Sequence, residues 1–389
     1  MHTGRTIFSQ ILDFLPQYEF QKCVERYRGN HKVQKFSCYE QYLCLAFAQL
    51  TYRESLRDIE ICLRSLQPRL YHAGFRAKIS RSTLADANEN RDWHIYADFA
   101  QALIKQARQL YANEDFGVTL RQTAYVLDST IIDLCLSLFP WTPFRRGRAG
   151  VKLHTLMDLR GNIPCFICIT GALVNDIPIL DNLILEPGAF YIMDRGYVDF
   201  TRLHTFTQSS AFFIIRARDN LDYYRRAHRE TDKTTGLRAD QTILLAGNKS
   251  SKHYPDPLRR ISFFDQDMKR KLVFLTNNFL LPPLTVAQLY KCRWRVELFF
   301  KWIKQYLRIK AFYGNSENAV KTQIWIAISV YLLVAIIKKQ LGIDRSMGEI
   351  LQILSITLFE KLPIYEALTR FDVQNEISDH SNQLNLFNL

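Results

Sequence analysis

The stretch Tyr125-Val-Leu-Asp-Ser-Thr-Ile-Ile132 predicts a buried β-strand that carries a single acidic residue. Apolar, aromatic and β-branched side chains dominate it, as is typical of strands. Downstream, two more strands and then alternating helices and strands are predicted, which indicates an α/β sheet. The predicted strands are 151–158, 163–173, 190–194 and 211–217, and the predicted helices are 177–185 and 200–208.

This pattern is interrupted between about residues 218 and 270 by a polar stretch with short alternating runs, which predicts an inserted β-rich subdomain. A strand at 271–276 resumes the sheet. A long helix is then predicted to begin at Thr285, with Gln288 completing a capping box, and to run to about residue 309.

The flanking regions show helical spacing of apolar residues. We therefore predict a mostly helical, DNA-binding domain over 1–118, a catalytic domain over 119–340, and C-terminal helices with a tail over 341–389. The apolar run from Ile324 to Ile337 is shorter than a membrane span and predicts a buried core helix.

Composition narrows the class of protein. The 389 residues are 48% hydrophobic and 23% charged, which excludes disordered and fibrous classes. A net charge of +13 favours an anionic partner, with nucleic acid ahead of a membrane surface, although a basic chain can also simply be soluble. Eight cysteines without a disulfide-scaffold spacing fit a reducing cytosol, and the lone Cys165-Phe-Ile-Cys168 does not favour zinc.

The long helix carries one carboxylate in a row of cations. At helical spacing, Tyr290, Arg293, Glu297 and Lys304 share a face, which Lys301 and Arg308 join. This row can be a solvated face with ordinary ion pairs. The same side chains also suit a metal-bound phosphodiester, with Glu297 as a Mg²⁺ ligand and the others on phosphate oxygens.

Two acidic residues at strand ends can complete such a site. Asp128 is the last residue of the segment Tyr125-Val-Leu-Asp. Asp194 is the last residue of Tyr191-Ile-Met-Asp and precedes the turn Arg195-Gly-Tyr. Carboxylates at neighbouring strand ends converge in an open α/β sheet, and three together suit two Mg²⁺ ions. A single such Asp is usually a cap or turn residue, and Asp133 and Asp158 are alternative acids.

At these residues the sequence resembles the DDE transposases of bacterial insertion sequences, the insertion-sequence-four family. Its signature matches Tyr290, Arg293, Glu297 and Lys304 at their spacing, and its first and second acids match Asp128 and Asp194-Arg-Gly-Tyr. The resemblance covers roughly residues 120–340. Upstream, Ala48-Gln-Leu-Thr-Tyr-Arg-Glu-Ser is similar to the short domain often found before this core.

The resemblance implies a ribonuclease-H-like core with the β-rich insertion before the Glu helix. It implies that Asp128, Asp194 and Glu297 hold Mg²⁺ or Mn²⁺. It also implies that Tyr290, Arg293 and Lys304 bind the terminal phosphate of the element end. Arg293 and Lys304 are cationic donors that cannot ligate Mg²⁺, so Arg293→Ala is expected to leave the metal affinity unchanged. Relatives carry a base-stacking Trp in the insertion, but this sequence has none between residues 142 and 293. The candidates to replace it are Tyr223, Tyr224, Tyr254, Phe263 and Phe264.

A second basic cluster, Arg145, Arg146, Arg148 and Lys152, lacks an acid and suits a phosphate-tracking loop, or equally a solubilising one. His154 is expected to be a packed histidine more often than a ligand.

The main hypothesis is a transposase that binds its terminal inverted repeats and target DNA as a homodimer, in the cytoplasm at the nucleoid. The alternatives are a metal-dependent nuclease on the same fold and a non-catalytic DNA-binding derivative.

Overall fold

The protein, described here from a computed structural model, is defined for residues 4–76, 78–145, 148–306 and 312–369. Its helices are α1 (Ile7–Leu12), α2 (Gln17–Arg26), α3 (Cys38–Leu50), α4 (Leu56–Ser65), α5 (Gln67–Leu70), α6 (Arg81–Asn90), α7 (His94–Tyr111), α8 (Phe200–Gln208), α9 (Asn248–His253), α10 (Pro283–Lys291), α11 (Trp294–Tyr306), α12 (Glu317–Gln340), α13 (Met347–Thr357) and α14 (Ile364–Thr369). Its strands are β1 (Ala124–Cys135), β2 (Pro143–Arg145), β3 (Arg148–Asp158), β4 (Ile163–Gly171), β5 (Phe190–Met193), β6 (Phe212–Arg216), β7 (Tyr223–Arg229), β8 (Leu237–Leu245), β9 (Leu258–Asp265) and β10 (Arg270–Thr276).

The chain forms two compact units. One consists of the described residues of Met1–Gln106 and Gln305–Leu389 and is helical, whereas the other is Ala107–Lys304 and contains the sheet. The boundaries fall inside α7 and α11, so they do not coincide with the predicted domain limits, and α12 belongs to the helical unit.

The α/β architecture is confirmed as one mixed sheet in the order β2-β3-β1-β5-β6-β10-β9-β8-β7, with β4 also pairing with β3. The contacts of β5 with β1 and with β6 are parallel, and the other pairings are antiparallel. All four residues of β5 are buried, as expected for a central strand with parallel neighbours.

The predicted insertion is β-rich, but it is not a separate sheet. Its strands β7, β8 and β9 continue the main sheet through the antiparallel pairing of β9 with β10. The reason is that β10 offers a free edge beyond β6, which β9 covers with a complete ladder.

Two predicted helices differ in the structure. The segment 177–185 is only a 3₁₀ helix, Ile177–Asn182, with Pro178 in its first turn. The long helix begins at Pro283, two residues before Thr285, so the predicted capping box is wrong. Proline suits this start because the first turn of a helix leaves its N–H groups unpaired.

The long helix is also not continuous, since α10 ends at Lys291 and α11 begins at Trp294. At the junction the N–H of Cys292 donates to the carbonyl of Leu289, and that of Arg293 donates to the carbonyl of Tyr290. These three-residue hydrogen bonds tighten the chain into a 3₁₀ turn between the two helices.

In the helical unit, α12 is the core element. It is longer than the apolar run that predicted it, and among the described residues it is the one helix long and apolar enough to cross a membrane, with a mean hydropathy of 2.0. However, 94% of its most apolar window is buried inside the protein, so α12 is a core helix. All eight cysteines are free thiols.

Candidate functional site

The sheet register places two carboxylates side by side. Strands β1 and β5 run parallel, and their ladder ends with Leu127 opposite Met193, so Asp128 and Asp194 follow on adjacent strands. Side chains alternate along a strand. Because Leu127 and Met193 belong to the apolar core of one face, the two aspartates lie on the other face.

Residues of α10 and α11 cover that face. The Tyr290 ring packs on Phe274 of β10, with ring centroids 4.7 Å apart, and its hydroxyl donates to Asp194 Oδ1 at 3.2 Å. From the junction between the helices, the Arg293 guanidinium donates to Asp128 Oδ2 and to Glu297 Oε1, both at 2.5 Å. Arg293 thus bridges Asp128 and Glu297, and Tyr290 contacts Asp194 on the neighbouring strand.

Lys304 lies two turns beyond Glu297 on α11. Its ammonium group donates to Thr130 Oγ1 at 2.7 Å, two residues past Asp128 on β1. Tyr290, Arg293 and Lys304 therefore contact the middle of β1 and the residue after β5, and Glu297 is linked to them through Arg293, although the helix that carries the four residues is broken at Cys292.

The Asp128 carboxyl is the acid whose protonation is most affected. Burial raises its pKa to about 6, the charges of Glu297 and Asp194 add to this rise, and Arg293 and the Ser129 N–H oppose it. Burial also raises the pKa of Tyr290 to about 12, helped by the charge of Asp194.

The donor set fits a hard divalent cation, because Mg²⁺ and Mn²⁺ prefer carboxylate oxygens. Among the described residues, no three acidic, Cys or His side chains are arranged closely enough to hold a metal ion. The Arg293 guanidinium instead lies between Asp128 and Glu297, where it supplies the positive charge that the two carboxylates require.

A further acidic residue, Asp176, is linked to Asp128 through Ser129. The Ser129 N–H donates to Asp128 Oδ1 at 2.8 Å, and the Ser129 hydroxyl donates to Asp176 Oδ1, also at 2.8 Å. The same Asp176 oxygen is 3.3 Å from both Lys152 Nζ and His154 Nδ1. Burial raises the pKa of Asp176, but the adjacent His154, the hydrogen bond from Ser129 and the charge of Lys152 outweigh it and lower the pKa to about 2.

Asp176 was not predicted from the sequence, because it lies in the loop after β4, far from any motif. The available signal was the alternation of Lys152 and His154 along β3, which puts both side chains on one face. His154 itself is fully buried and its Nε2 is 2.9 Å from Thr170 Oγ1, so it is a packed histidine as expected.

Of the other predicted phosphate-binding residues, Lys301 lies one turn beyond Glu297, whereas those of β2 and β3 lie apart from the acids. Lys301 is exposed on α11, and Arg148 is exposed at the start of β3. Arg148 pairs with Cys135, seven residues along β1 from Asp128 and hence roughly 20 Å away along the strand. Arg145 ends β2 opposite Arg148, and Arg146, like Arg308, lies outside the described residues.

The alternative acids do not join the cluster. Asp133 is exposed on β1, and Asp158 lies opposite Tyr125 and 3.4 Å from Arg108 Nε. Burial raises the pKa of Asp158.

Residues 120–333 match the family described as Transposase DDE domain, and residues 3–76 match a domain of unknown function, DUF4372. A protein named as a transposase, y4zB of Sinorhizobium fredii, is 33% identical over 285 residues, 72% of this chain and 78% of that protein. The protein named as the transposase for insertion sequence element IS5377 of Geobacillus stearothermophilus is 31% identical over 57% of this chain and 59% of its own length.

A third relative, named for insertion sequence element IS4SA of Synechocystis, is 23% identical over 79% of this chain and 86% of its own length. Among solved structures, the piggyBac transposase synaptic complex with hairpin DNA covers 97% of this chain and 84% of its own, at a TM-score of 0.44 and 11% identity. The family match spans more than half of the chain, and the S. fredii relative is aligned over most of both proteins. The chain therefore belongs to the DDE transposases of bacterial insertion sequences, of the insertion-sequence-four type.

Proposed function

We propose that this transposase cuts the ends of its own insertion sequence and joins them to target DNA at the cluster formed by Asp128, Asp194 and Glu297. The observation that carries the proposal is the convergence of three carboxylates, from β1, from the end of β5 and from α11, on Arg293 and Tyr290.

The three carboxylates would hold Mg²⁺, or Mn²⁺ in its place. Divalent cations at such a site stabilise the attacking and leaving oxygens of an in-line phosphoryl transfer. The nucleophile is first water and then a DNA 3′-hydroxyl, so no protein side chain forms a covalent intermediate.

The cations and the phenol act on the DNA. Arg293 and Lys304 are donors without lone pairs and suit the non-bridging oxygens of the scissile phosphate. Arg293 donates to Asp128 and to Glu297, so a phosphate oxygen would share its donors with these two carboxylates. Tyr290, held on Phe274, keeps Asp194 in place, and its single hydroxyl proton can pass to the same phosphate only when it releases Asp194.

We assign the core to the ribonuclease-H-like fold. The support is the sheet itself, in which antiparallel β3 and β1 continue into parallel β5 and β6; Asp194 directly follows β5, whereas Asp128 lies within β1, one residue beyond its ladder with β5, and not at the strand end that the sequence predicted. The N-terminal helices would bind DNA. We expect the protein to act as a homodimer that pairs two element ends, at the nucleoid in the cytoplasm.

A strand-transfer assay tests the proposal. Purified protein, a duplex that ends in the terminal repeat flanking the gene, a supercoiled target plasmid and Mg²⁺ are incubated, and joined products are sequenced. We expect 3′ ends of the duplex joined to the target. Cleaved but unjoined ends would indicate a nuclease, and binding without cleavage would indicate a non-catalytic derivative; either result overturns the proposal.

A further inference from the structure

We infer that the outer edge of the sheet at β7 binds the sugar-phosphate backbone of duplex DNA without reading its sequence, an inference that rests on the proposed function. β7 has the sequence Tyr223-Tyr-Arg-Arg-Ala-His-Arg229. It is the last strand in the order of the sheet and, among the described strands, pairs only with β8. Residues 224–228 are all exposed, so their side chains can contact a partner.

The strand carries positive charge that the protein itself does not neutralise. It contains three arginines and no acidic residue. Arg229 lies 3.3 Å from the buried Asp240. Arg225 and Arg226, in contrast, form no ion pair within the part of the chain that the structure describes. Two adjacent exposed guanidinium groups favour an anion, and phosphate suits them because a guanidinium can offer paired N–H donors to two of its oxygens.

Protection of the sheet edge does not account for these charges. Charged side chains and bulges keep an edge strand from pairing with another chain, and β7 has both, since its register with β8 shifts between Arg225 and Ala227. However, β4 at the other end of the sheet pairs only with β3 among the described strands, and its sequence 163–171 contains no charged residue. Charge is therefore not the general means by which this sheet protects an edge, and the arginines of β7 indicate a ligand.

The composition of β7 favours a nucleic acid as that ligand. The Tyr224 side chain next to the two arginines is 64% exposed. Aromatic and basic side chains that alternate on an exposed surface are typical of nucleic-acid binding. A free strand edge also presents backbone N–H groups, which are frequent donors to DNA phosphates. Duplex DNA is the polyanion on which the proposed function acts, so we assign it to this surface.

The position of β7 in the sheet indicates which part of the DNA it contacts. β7 is five strands away from β5 in the order of the sheet, roughly 24 Å at about 4.8 Å per strand. The phosphates at β7 are therefore remote from the linkage that reacts next to Asp194. Because backbone phosphates carry no sequence information, this surface should hold any duplex equally well.

The test is the salt dependence of DNA binding, measured by fluorescence anisotropy with two labelled duplexes of 30 base pairs, one with the element end and one with its sequence scrambled. Each lost phosphate contact should reduce the slope of log affinity against log salt by about one. We expect that reduction for Arg226→Gln with both duplexes, and a further one for Arg225→Gln/Arg226→Gln. Arg225→Lys/Arg226→Lys keeps both charges and should keep the slope. The control Arg121→Gln removes an exposed arginine outside β7 and should also keep the slope.

Wild-type slopes in the two glutamine variants overturn the inference. If those variants also aggregate in size-exclusion chromatography, the arginines only shield the edge. A reduction confined to the element-end duplex overturns the sequence-independent contact. The strand-transfer assay on the wild-type protein is a separate measurement, and a protein that binds DNA through β7 but joins no ends overturns only the proposed function.

Discussion

At the scale of single residues, Arg293 contacts two of the three acids, as a donor to Asp128 and to Glu297. The spacing of Tyr290, Arg293, Glu297 and Lys304 predicted one helical face; in the fold Tyr290 contacts Asp194 and Arg293 contacts Asp128, whereas Lys304 contacts Thr130. What spacing could not show is that Arg293 binds two of the acids directly, because that contact depends on the turn at Cys292. Contact with the acids changes the expected role of Arg293.

Arg293→Ala should strengthen Mg²⁺ binding to the free protein, by about tenfold, because a guanidinium that competes for Asp128 and Glu297 is removed. The same substitution should slow cleavage, since a phosphate contact is also lost. Isothermal titration with Mg²⁺ measures the affinity. As a control, Lys301→Ala removes an equal charge one turn beyond Glu297 and should change the Mg²⁺ affinity little. An unchanged affinity in Arg293→Ala would show that the guanidinium does not occupy the cation position.

Asp176→Asn should lower the free energy of unfolding at pH 7 by ~1–2 kcal/mol. The pKa of Asp176, lowered to about 2, corresponds to a somewhat larger change in the free energy of unfolding. The partial exposure of the Asp176 side chain reduces this change. Because this pKa lies below that of an unfolded Asp, the stabilisation is complete above about pH 4 and declines as the pH falls toward 2.

Urea unfolding at pH 7, 5 and 3 measures this difference, with Asp267→Asn, which alters an 86% exposed side chain, as the control. A deficit in Asp176→Asn that is as large at pH 3 as at pH 7 would refute the ionic origin of the effect.

At the scale of elements, the strands could be predicted from the sequence, but their pairing in the sheet could not. Apolar runs with β-branched residues located β1, β3, β5 and β6, because a buried strand must be apolar. The sequence of the insertion predicted strands as well, but it held no information on which edge they would join. The helix break was likewise hidden, since Lys291 to Trp294 contains neither Gly nor Pro.

A buried ion pair ties the insertion to the segment that leads into α10. Arg259 of β9 binds Asp240 of β8 through two hydrogen bonds, 2.9 and 2.7 Å long, and donates to the carbonyl of Leu281 at 2.6 Å. Both side chains are almost fully buried. The pair therefore fixes β8 and β9 relative to the start of the helix that carries Tyr290.

Arg259→Met should lower the free energy of unfolding by about 3 kcal/mol, because it leaves Asp240 buried without its main partner. The double variant Asp240→Leu/Arg259→Met should recover most of this loss. Arg202→Met, which breaks a pair with the exposed Asp181, should cost less than about 1 kcal/mol. Chemical denaturation of the three variants provides the comparison. A double variant no more stable than Arg259→Met would contradict the account.

At the scale of the whole molecule, charge and composition predicted the class of partner, and the motif predicted the family. The division into compact units could not be predicted, because residues far apart in sequence join one helical unit. Contacts of α12 with α3 and α6 illustrate this. Only the folded chain shows which distant apolar faces cover each other.

Two element ends must be held together for paired cleavage, so the protein should be a dimer on end DNA. Residues 316–370 are the candidate surface, and Ile356 and Tyr365 there are 77% and 55% exposed. Size-exclusion chromatography with light scattering on the end-bound complex should give two chains and two duplexes, and Ile356→Glu should reduce this species. One chain per end with full strand transfer would exclude the dimer.

Metal-dependent cleavage of an element-end duplex tests the central claim most directly. Asp128→Asn, Asp194→Asn and Glu297→Gln are compared with Asp133→Asn, a change to an exposed acid on the same strand as Asp128. Each of the first three should lose several kcal/mol of transition-state stabilisation, about a hundredfold or more in rate, with DNA binding retained. Asp133→Asn should cleave normally. Cleavage at the wild-type rate by any of the three would contradict the assignment of these carboxylates as the catalytic site.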